Sequence, residues 1–314
     1  MDSIRSILCY FNVDRDDHVA LELADWMARE HNSLLTTIDV QRELSWQARL
    51  AAGFDQEVVT ELIDHRMTML RKQVAKLCAD SSRVEVTVSR GKPWIEIIRE
   101  VLRHQHDLVV KTGEADRGRL ASPFGSTAAH LVRKCPCPVW LVNPKAQLRS
   151  NRVLAAISPN PESNSSIRFN RYLVEIAHRV AEQQGAELRL LHVWDEKGHS
   201  VPRLGMSDGP LVQALKGIEE LVRKNLVDFL EESGLPGLTD NLRLVRGEPV
   251  SAISEYAKDH AVDLIVIGSM GRVGAKGLLI GNVAEAVLHQ APCSLLTIKP
   301  EGFVTPLALD DGAV

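Results

Sequence analysis

The sequence predicts an α/β protein built from two tandem, doubly wound parallel sheets of five strands each. Three observations predict this fold. The chain has 314 residues, enough for about two ordinary domains. Short apolar runs alternate with amphipathic segments, the pattern of a parallel sheet covered by helices on both faces. The second half of the chain also repeats the first.

The repeat is clearest where residues 90–144 align without a gap with residues 246–300, a shift of 156 positions (246 − 90). The matched positions include Arg90-Gly91 with Arg246-Gly247, and Pro136-Cys137 with Pro292-Cys293. Earlier, "SILCYFN" (6–12) aligns with "RVLAAIS" (152–158) at a shift of 146. We therefore expect a duplicated domain, with domains at 1–146 and 150–302 and a tail at 303–314.

Each half is predicted to open with a strand, an amphipathic helix and a second strand. The strands are short apolar runs at 7–12 and 33–40, and at 153–158 and 187–194. Between them, apolar residues recur at helical spacing: Val19, Leu23 and Met27 in the first half, and Leu173, Ile176, Ala177, Val180 and Ala181 in the second.

The remaining elements of each half follow in the same order. A longer helical segment at 55–79 or 210–232 precedes a third strand and a helix begun by "GKPW" or "GEPV". Proline suits a first helical turn because its missing N–H has no intrahelical partner there. The fourth strand is "DLVV" or "DLIVI", and a glycine-bearing loop, a helix and the strand "PVWLV" or "LLTI" complete each half.

The glycine-rich loop of the second half, "GSMGRVGAKGLLIGN" (268–282), is the strongest candidate binding motif. Ligands of doubly wound sheets bind at the carboxyl ends of the strands, and a helix start there offers free N–H groups to an anion. A tight turn alone would also explain the glycines. The loop is not a Walker A motif, because Gly277 follows Lys276, and it follows the fourth strand, where the usual dinucleotide fingerprint follows the first.

The pattern Gly-x2-Gly-x9-Gly after the fourth strand of a duplicated domain resembles the universal stress proteins, in their tandem form. The segments that carry the resemblance are "HDLVVK" (106–111), "LVRKCPCPVW" (131–140), "GNVAEAVL" (281–288) and "IKPEGFVTPLALDD" (298–311). The resemblance covers essentially the whole chain, twice. It implies the adenine nucleotide alpha hydrolase-like fold, with strand order 3-2-1-4-5 in each sheet.

The resemblance also implies an ATP site in the second domain, with Mg²⁺ as a companion ion. The implied residues are Ser158, Pro159, Val193, Gly268, Gly271, Arg272, Gly281 and Asn282. The glycines and Asn282 would hold ribose and phosphates, and the backbone of Val193 would meet adenine. Ser158 stands where the family has Asp, which weakens the case for tight binding. Arg272 and Lys276 are either phosphate partners or solvated loop charges.

The first domain departs further from the family pattern. Thr112 and Ala115 replace the first two glycines, and only Gly125 remains. A Cβ at those positions would crowd a phosphate. Asn12 stands where the family has Asp, and Lys111 replaces an apolar residue. We therefore expect no ATP in the first domain, which would serve as a structural partner or bind another ligand.

No strong catalytic set is present, so a binding or regulatory protein is favoured over an enzyme. His104 and His106 lack a nearby metal-ligating cluster, His192 fits a packed strand histidine, and Cys135-Pro136-Cys137 lacks the two-residue spacer of metal and redox motifs. Two alternatives stay open: a slow ATP hydrolase, and a carrier of an apolar or phosphorylated molecule. The face formed by Trp46, Leu50 and Phe54 would line the carrier pocket, or else pack in the core.

Charge and composition limit the classes of partner that the sequence predicts. The net charge of −4 argues against non-specific nucleic-acid binding. No apolar run approaches the roughly 20 residues of a membrane span, and five cysteines without an export signal predict free thiols in a reducing cytoplasm. The family resemblance further implies that the last strands of the two domains pair in an intramolecular pseudo-dimer, and the apolar runs at 138–142 and 294–298 suit that pairing. A homodimer of whole chains also stays open, and the tail is expected to dock from Phe303 to Leu309.

Overall fold

The structure is a computed structural model that describes residues 4–15, 18–43, 56–113, 123–195, 208–269 and 282–309. The chain divides into two compact units. Unit 1 comprises Met1–Leu148 together with Ser294–Val314, and unit 2 comprises Arg149–Cys293. The end of the second repeat therefore belongs to the first unit.

The elements follow the repeat. The first repeat holds β1 (Ser6–Tyr10), α1 (His18–His31), β2 (Leu34–Gln41), α2 (Gln56–Leu77), β3 (Val84–Arg90), α3 (Pro93–His104), β4 (Leu108–Thr112), α4 (Gly125–Lys134) and β5 (Val139–Val142). The second holds β6 (Arg152–Ala156), α5 (Asn164–Gln184), β7 (Glu187–Trp194), α6 (Asp208–Glu232), β8 (Leu242–Arg246), α7 (Pro249–Asp259), β9 (Leu264–Gly268), α8 (Asn282–Gln290) and β10 (Ser294–Ile298). Short 3₁₀ turns precede β3 and β8.

The sheet of unit 1 has six strands in the order β3-β2-β1-β4-β5-β10. The first five run parallel. The sixth, β10, runs antiparallel to β5, with Leu296 opposite Trp140 and Thr297 opposite Val139. The expectation of two separate five-stranded sheets is therefore not confirmed. The physical reason is that both last strands are fully buried and apolar, so each needs a hydrogen-bonding neighbour on its outer edge.

The core of unit 1 lies between this sheet and its helices. Strand β4 is buried at every position, as expected for a strand covered on both faces. Helix α3 begins with Pro93, and its apolar face buries Ile97, Ile98 and Val101. It ends at Gln105, which adopts the left-handed conformation with φ of 52°.

The sheet of unit 2 has four parallel strands in the order β9-β6-β7-β8. Helix α5 begins after Ser163, whose hydroxyl accepts a hydrogen bond from the Ser166 N–H. It ends at Gly185, which has φ of 67° and would be strained with any side chain. Helix α7 begins at Pro249, as the sequence predicts, and the Glu248 carboxylate caps it.

Within the described ranges, no helix combines the length and the hydropathy of a membrane span. The tail follows the expectation in part. The Lys299 ammonium lies 4.4 Å from the centre of the Phe303 ring, whereas Val304 remains 73% exposed.

Candidate functional site

Three strand ends of unit 2 meet at the carboxyl edge of its sheet. Ala156 of β6 lies opposite Leu191 of β7 on one side and Ile267 of β9 on the other. One or two residues later, these strands reach Ser158, Val193 and Gly268. The sheet thus brings these three predicted site residues to the edge where parallel sheets bind ligands.

The turn after β6 is held by the first two turns of α5. The Ser158 N–H donates to Asn170 Oδ1 over 2.8 Å, and Asn170 Nδ2 donates to the Ser166 carbonyl over 2.9 Å. The Asn160 N–H donates to Ser166 Oγ over 3.0 Å. These bonds fix the backbone around Pro159 and leave the Ser158 residue exposed. Asn170 is buried and was not identified from the sequence; its position on the apolar face of α5, three residues before Leu173, was the available signal.

The end of β7 presents a backbone rather than a reactive side chain. Val193 lies opposite Val245 of β8 and is half-buried. His192 is also half-buried, and its Nδ1 donates to the Ile157 carbonyl over 3.0 Å. This bond agrees with the interpretation of His192 as a packed strand histidine.

Gly268 is required by a neighbouring ring. A Cβ at this position would lie 2.5 Å from Phe169 Cε1 and 2.7 Å from Phe169 Cζ, and it would lie 3.7 Å from Leu173 Cδ1. The φ of Gly268 lies outside the left-handed region, so turning freedom is not the reason for the glycine. Phe169 therefore forms part of this edge. Sequence reasoning missed it, although it lies four residues before Leu173 on the same face of α5.

The rest of the predicted loop lies outside the described residues: Gly271, Arg272, Lys276 and Gly281. Asn282 is the first residue of α8. The roles predicted for these residues stay predictions. The apolar face predicted from Trp46, Leu50 and Phe54 also falls outside the described ranges.

The corresponding edge of unit 1 contains a buried ion cluster. Arg66 of α2 donates from Nε to Asp39 Oδ2 over 2.6 Å and from a terminal nitrogen to Asp39 Oδ1 over 3.0 Å. It also donates to Asp14 Oδ2 over 2.8 Å. Burial raises the pKa of Asp39, and the bonds from Arg66 limit that rise. Burial opposes the charge on Arg66, but its bonds to the two carboxylates raise its pKa.

The end of β4 in unit 1 is filled by protein atoms. The buried Lys111 ammonium donates to the Thr112 carbonyl over 2.7 Å and to the Phe124 carbonyl over 3.3 Å. Thr112 Oγ1 accepts from the Ala20 N–H over 3.2 Å. A Cβ on Gly113 would lie 2.8 Å from the Pro123 carbonyl oxygen and 3.0 Å from Phe124 Cδ1. Little room is left here for a phosphate beside β4.

The two histidines singled out from the sequence, His104 and His106, have different surroundings. The ring centres of His104 and His106 are 6.0 Å apart, and His106 Nδ1 bonds to Ser6 Oγ over 2.7 Å. Burial lowers the pKa of His106 to about 4, so it is neutral at physiological pH. Among the residues with described positions, no group of three or more His, Cys, Asp or Glu could hold a metal ion.

A comparison with protein families matches the universal stress protein family twice, at residues 4–143 and 151–299. Curated relatives include universal stress protein E of Escherichia coli K12, 26% identical over 99% of both chains. Another is the universal stress protein E homolog of Haemophilus influenzae, 25% identical over 94% of this chain and 97% of the relative. The tandem form expected from the sequence is thereby confirmed.

Solved structures show the same fold. A putative universal stress protein from Pseudomonas aeruginosa UCBPP-PA14 superposes with a TM-score of 0.69 at 21% identity, covering 95% of this chain and 94% of that one. A universal stress protein from Archaeoglobus fulgidus superposes with a TM-score of 0.59 at 16% identity, covering 96% of this chain and 100% of that one. At these identities the likeness concerns the fold alone.

Proposed function

The chain belongs to the universal stress protein family, and from this premise we propose that it is a non-catalytic, cytoplasmic stress-response protein whose second unit binds an adenine nucleotide, ATP. The observation that carries the proposal is the difference between the two carboxyl edges. In unit 1 this edge is occupied by the Arg66 cluster and by Lys111. In unit 2 the position of Asp39 is taken by His192, and the position of Lys111 is taken by Ile267.

The proposed site is built on the three strand ends and on the loop after β9. Its residues are Ser158, Pro159, Val193, Gly268, Gly271, Arg272, Gly281 and Asn282. The exposed turn at Ser158 and the half-buried end of β7 support an approach of the nucleoside there. The helix start at Asn282 supports a phosphate site, because the first N–H groups of a helix lack intrahelical partners. Mg²⁺ would accompany the triphosphate.

Calorimetric titration of the full chain with ATP and Mg²⁺ tests this proposal. The full chain is needed because β10 pairs with β5 in unit 1. We expect one ATP per chain and loss of binding in Gly281→Val. Asn282→Leu should weaken binding, whereas Ser126→Leu, at the matching helix start in unit 1, should leave it unchanged. Equal loss of affinity in Asn282→Leu and Ser126→Leu, or no heat from the wild type, would reject a site in unit 2.

A second variant tests the residue in which this chain departs from the family. Ser158→Asp restores the acid that the family resemblance places against the nucleoside, and it should tighten ATP binding. Asn12→Asp is the matched control in unit 1 and should have no effect on affinity. Mg²⁺-dependent ATP turnover that disappears in Gly281→Val would assign a slow hydrolase in place of a non-catalytic binder.

We also propose that the two repeats act as an intramolecular pseudo-dimer, each derived from a five-stranded sheet of order 3-2-1-4-5. The antiparallel pairing of β10 with β5 supports this, since the last strands of the two repeats are the ones that pair. Light scattering after size exclusion tests whether whole chains form a further homodimer.

A further inference from the structure

The turn between α4 and β5 places two thiols together inside unit 1. The sulfur atoms of Cys135 and Cys137 lie 3.6 Å apart, in hydrogen-bonding contact. Cys135 is fully buried and Cys137 is 8% exposed. The Cys135 N–H donates to the Leu131 carbonyl and ends the helix, so the last turn of α4 fixes where the first sulfur lies.

A buried ammonium is anchored beside this pair. Lys299, just after β10, is 5% exposed, and its Nζ donates to the carbonyls of Val132 and Arg133 at the end of α4. No carboxylate among the positioned residues forms an ion pair with it; its other neighbour is the Phe303 ring, 4.4 Å from Nζ. A buried cation held only by helix carbonyls and a ring is stabilised further by a nearby anion.

The thiols are the groups that can supply that anion. Burial alone would raise the pKa of Cys135, but the hydrogen bond from Cys137 and the Lys299 ammonium lower it below the usual thiol value. The same hydrogen bond, with burial, raises the pKa of Cys137. Burial lowers the pKa of Lys299 to about 8, and the two sulfurs oppose that decrease. The pair therefore shares one proton more readily than two isolated thiols would.

We propose that Cys135 and Cys137 are a peroxide-reactive dithiol that closes to an intramolecular disulfide, with Lys299 as the positioning cation that favours the thiolate. The thiolate attacks one oxygen of hydrogen peroxide; an S–O bond forms, the O–O bond breaks, and the leaving hydroxide takes up a proton to give water. The second thiol then attacks the sulfenic sulfur; the S–S bond forms, the S–O bond breaks, and its proton leaves with the hydroxyl as a second water. The two sulfurs lose two electrons, which reduce the peroxide.

The second repeat supplies an internal control. Its turn reads Ala291-Pro292-Cys293, and the Ala291 N–H donates to the Val287 carbonyl over 2.7 Å, as Cys135 does to Leu131 over 2.9 Å. It has the same backbone bond but one thiol, and burial raises the pKa of Cys293 to about 12. Cys135→Ala therefore gives this turn the sequence Ala-Pro-Cys, which the second repeat already has at the matching position.

Peptide mapping of the full chain after brief treatment with hydrogen peroxide tests the proposal. Remaining thiols are alkylated in denaturant, and trypsin then releases "CPCPVWLVNPK" (135–145), which contains both cysteines. We expect this peptide to lose two hydrogens and to resist alkylation, while the peptide with Cys293 stays alkylated. Lys299→Met should slow the reaction about tenfold, because the rate follows the thiolate fraction. Lys72→Met, an exposed lysine of the same unit that lies outside this peptide, should not change it.

Two outcomes would overturn the proposal. One is a 135–145 peptide that stays alkylated under conditions that oxidise Cys293. The other is equal reaction rates for the wild type and for Lys299→Met, with both folded by circular dichroism. If Lys299→Met does not fold, Cys135→Ala decides the matter: Cys137 then lacks the attacking thiolate beside it and should lose its thiol more slowly than in the wild type. A rate of thiol loss equal to that of the wild type would refute the paired mechanism.

Discussion

Substitution of Gly268 by alanine tests how the carboxyl edge of unit 2 is packed. The added Cβ would lie 2.5 Å from Phe169 Cε1, a distance that real Cβ atoms do not show, so the ring or the strand must shift. Overpacking of this kind costs about 1–3 kcal/mol. The loss of unfolded-chain freedom returns about 0.4–1 kcal/mol, because the φ of Gly268 is not left-handed. We therefore expect Gly268→Ala to destabilise the protein by about 0.5–2 kcal/mol.

A double-mutant cycle assigns this cost to the ring. Phe169→Leu removes the two atoms that the Cβ would meet, so Gly268→Ala should be neutral or slightly stabilising in that background. Urea unfolding followed by circular dichroism, with hydrogen exchange of the β6 and β9 amides, measures the four free energies of unfolding. Gly217→Ala is the control: Gly217 is an exposed glycine of α6 with nothing within 4 Å of its Cβ position, and alanine there should stabilise by about 0.5–1 kcal/mol.

The reasoning fails if the two substitutions are additive within about 0.5 kcal/mol, the usual limit for independent sites. It also fails if Gly268→Ala alone stabilises the protein as much as Gly217→Ala does. Either result would mean that the ring and the strand move apart freely, and that the glycine is retained for another reason.

Three further predictions concern unit 1. Arg66→Met leaves the fully buried Asp39 carboxylate without its partner, and should lower the free energy of unfolding by about 3–5 kcal/mol at pH 7. Because the variant raises the pKa of Asp39 further, part of that stability should return in urea titrations at pH 5. A loss of stability that does not depend on pH would contradict this. His106, with a folded pKa of about 4 against 6.5, makes stability fall as pH falls from 6.5 to 4 by about 3 kcal/mol, so His106→Gln should flatten the stability–pH curve in that window. Removal of residues 294–314 should destabilise unit 1, because β5 then loses its partner. The fluorescence of Trp140, which is 2% exposed in the intact chain, should shift to the red. An unchanged spectrum would contradict the pairing.

Local signals allowed most elements to be predicted from the sequence. Pro93 and Pro249 each mark a helix start, and both helices begin at the predicted residue. The run at 187–194 forms β7 over the whole predicted length. These predictions succeed because they depend on backbone chemistry within a few residues.

Contacts between distant residues could not be predicted in this way. Arg66 lies 27 residues from Asp39 and 52 from Asp14, and no local pattern relates them. The ring of Phe169 against Gly268 belongs to the same class, since an apolar residue on a helix face does not show which backbone it will touch. The pairing of β10 with β5 was expected from the family resemblance alone, because a short apolar strand fits any free edge.

The position of β10 has a consequence for how the protein is made. Ribosomes add residues at about 5–20 per second, and domains generally fold as they emerge, the first one first. Here the strand that closes the sheet of unit 1 is encoded after the whole of unit 2. The first unit must wait until β10 has been synthesised, with the edge of β5 uncovered in the nascent chain, so translation past unit 2 is itself a folding step for unit 1.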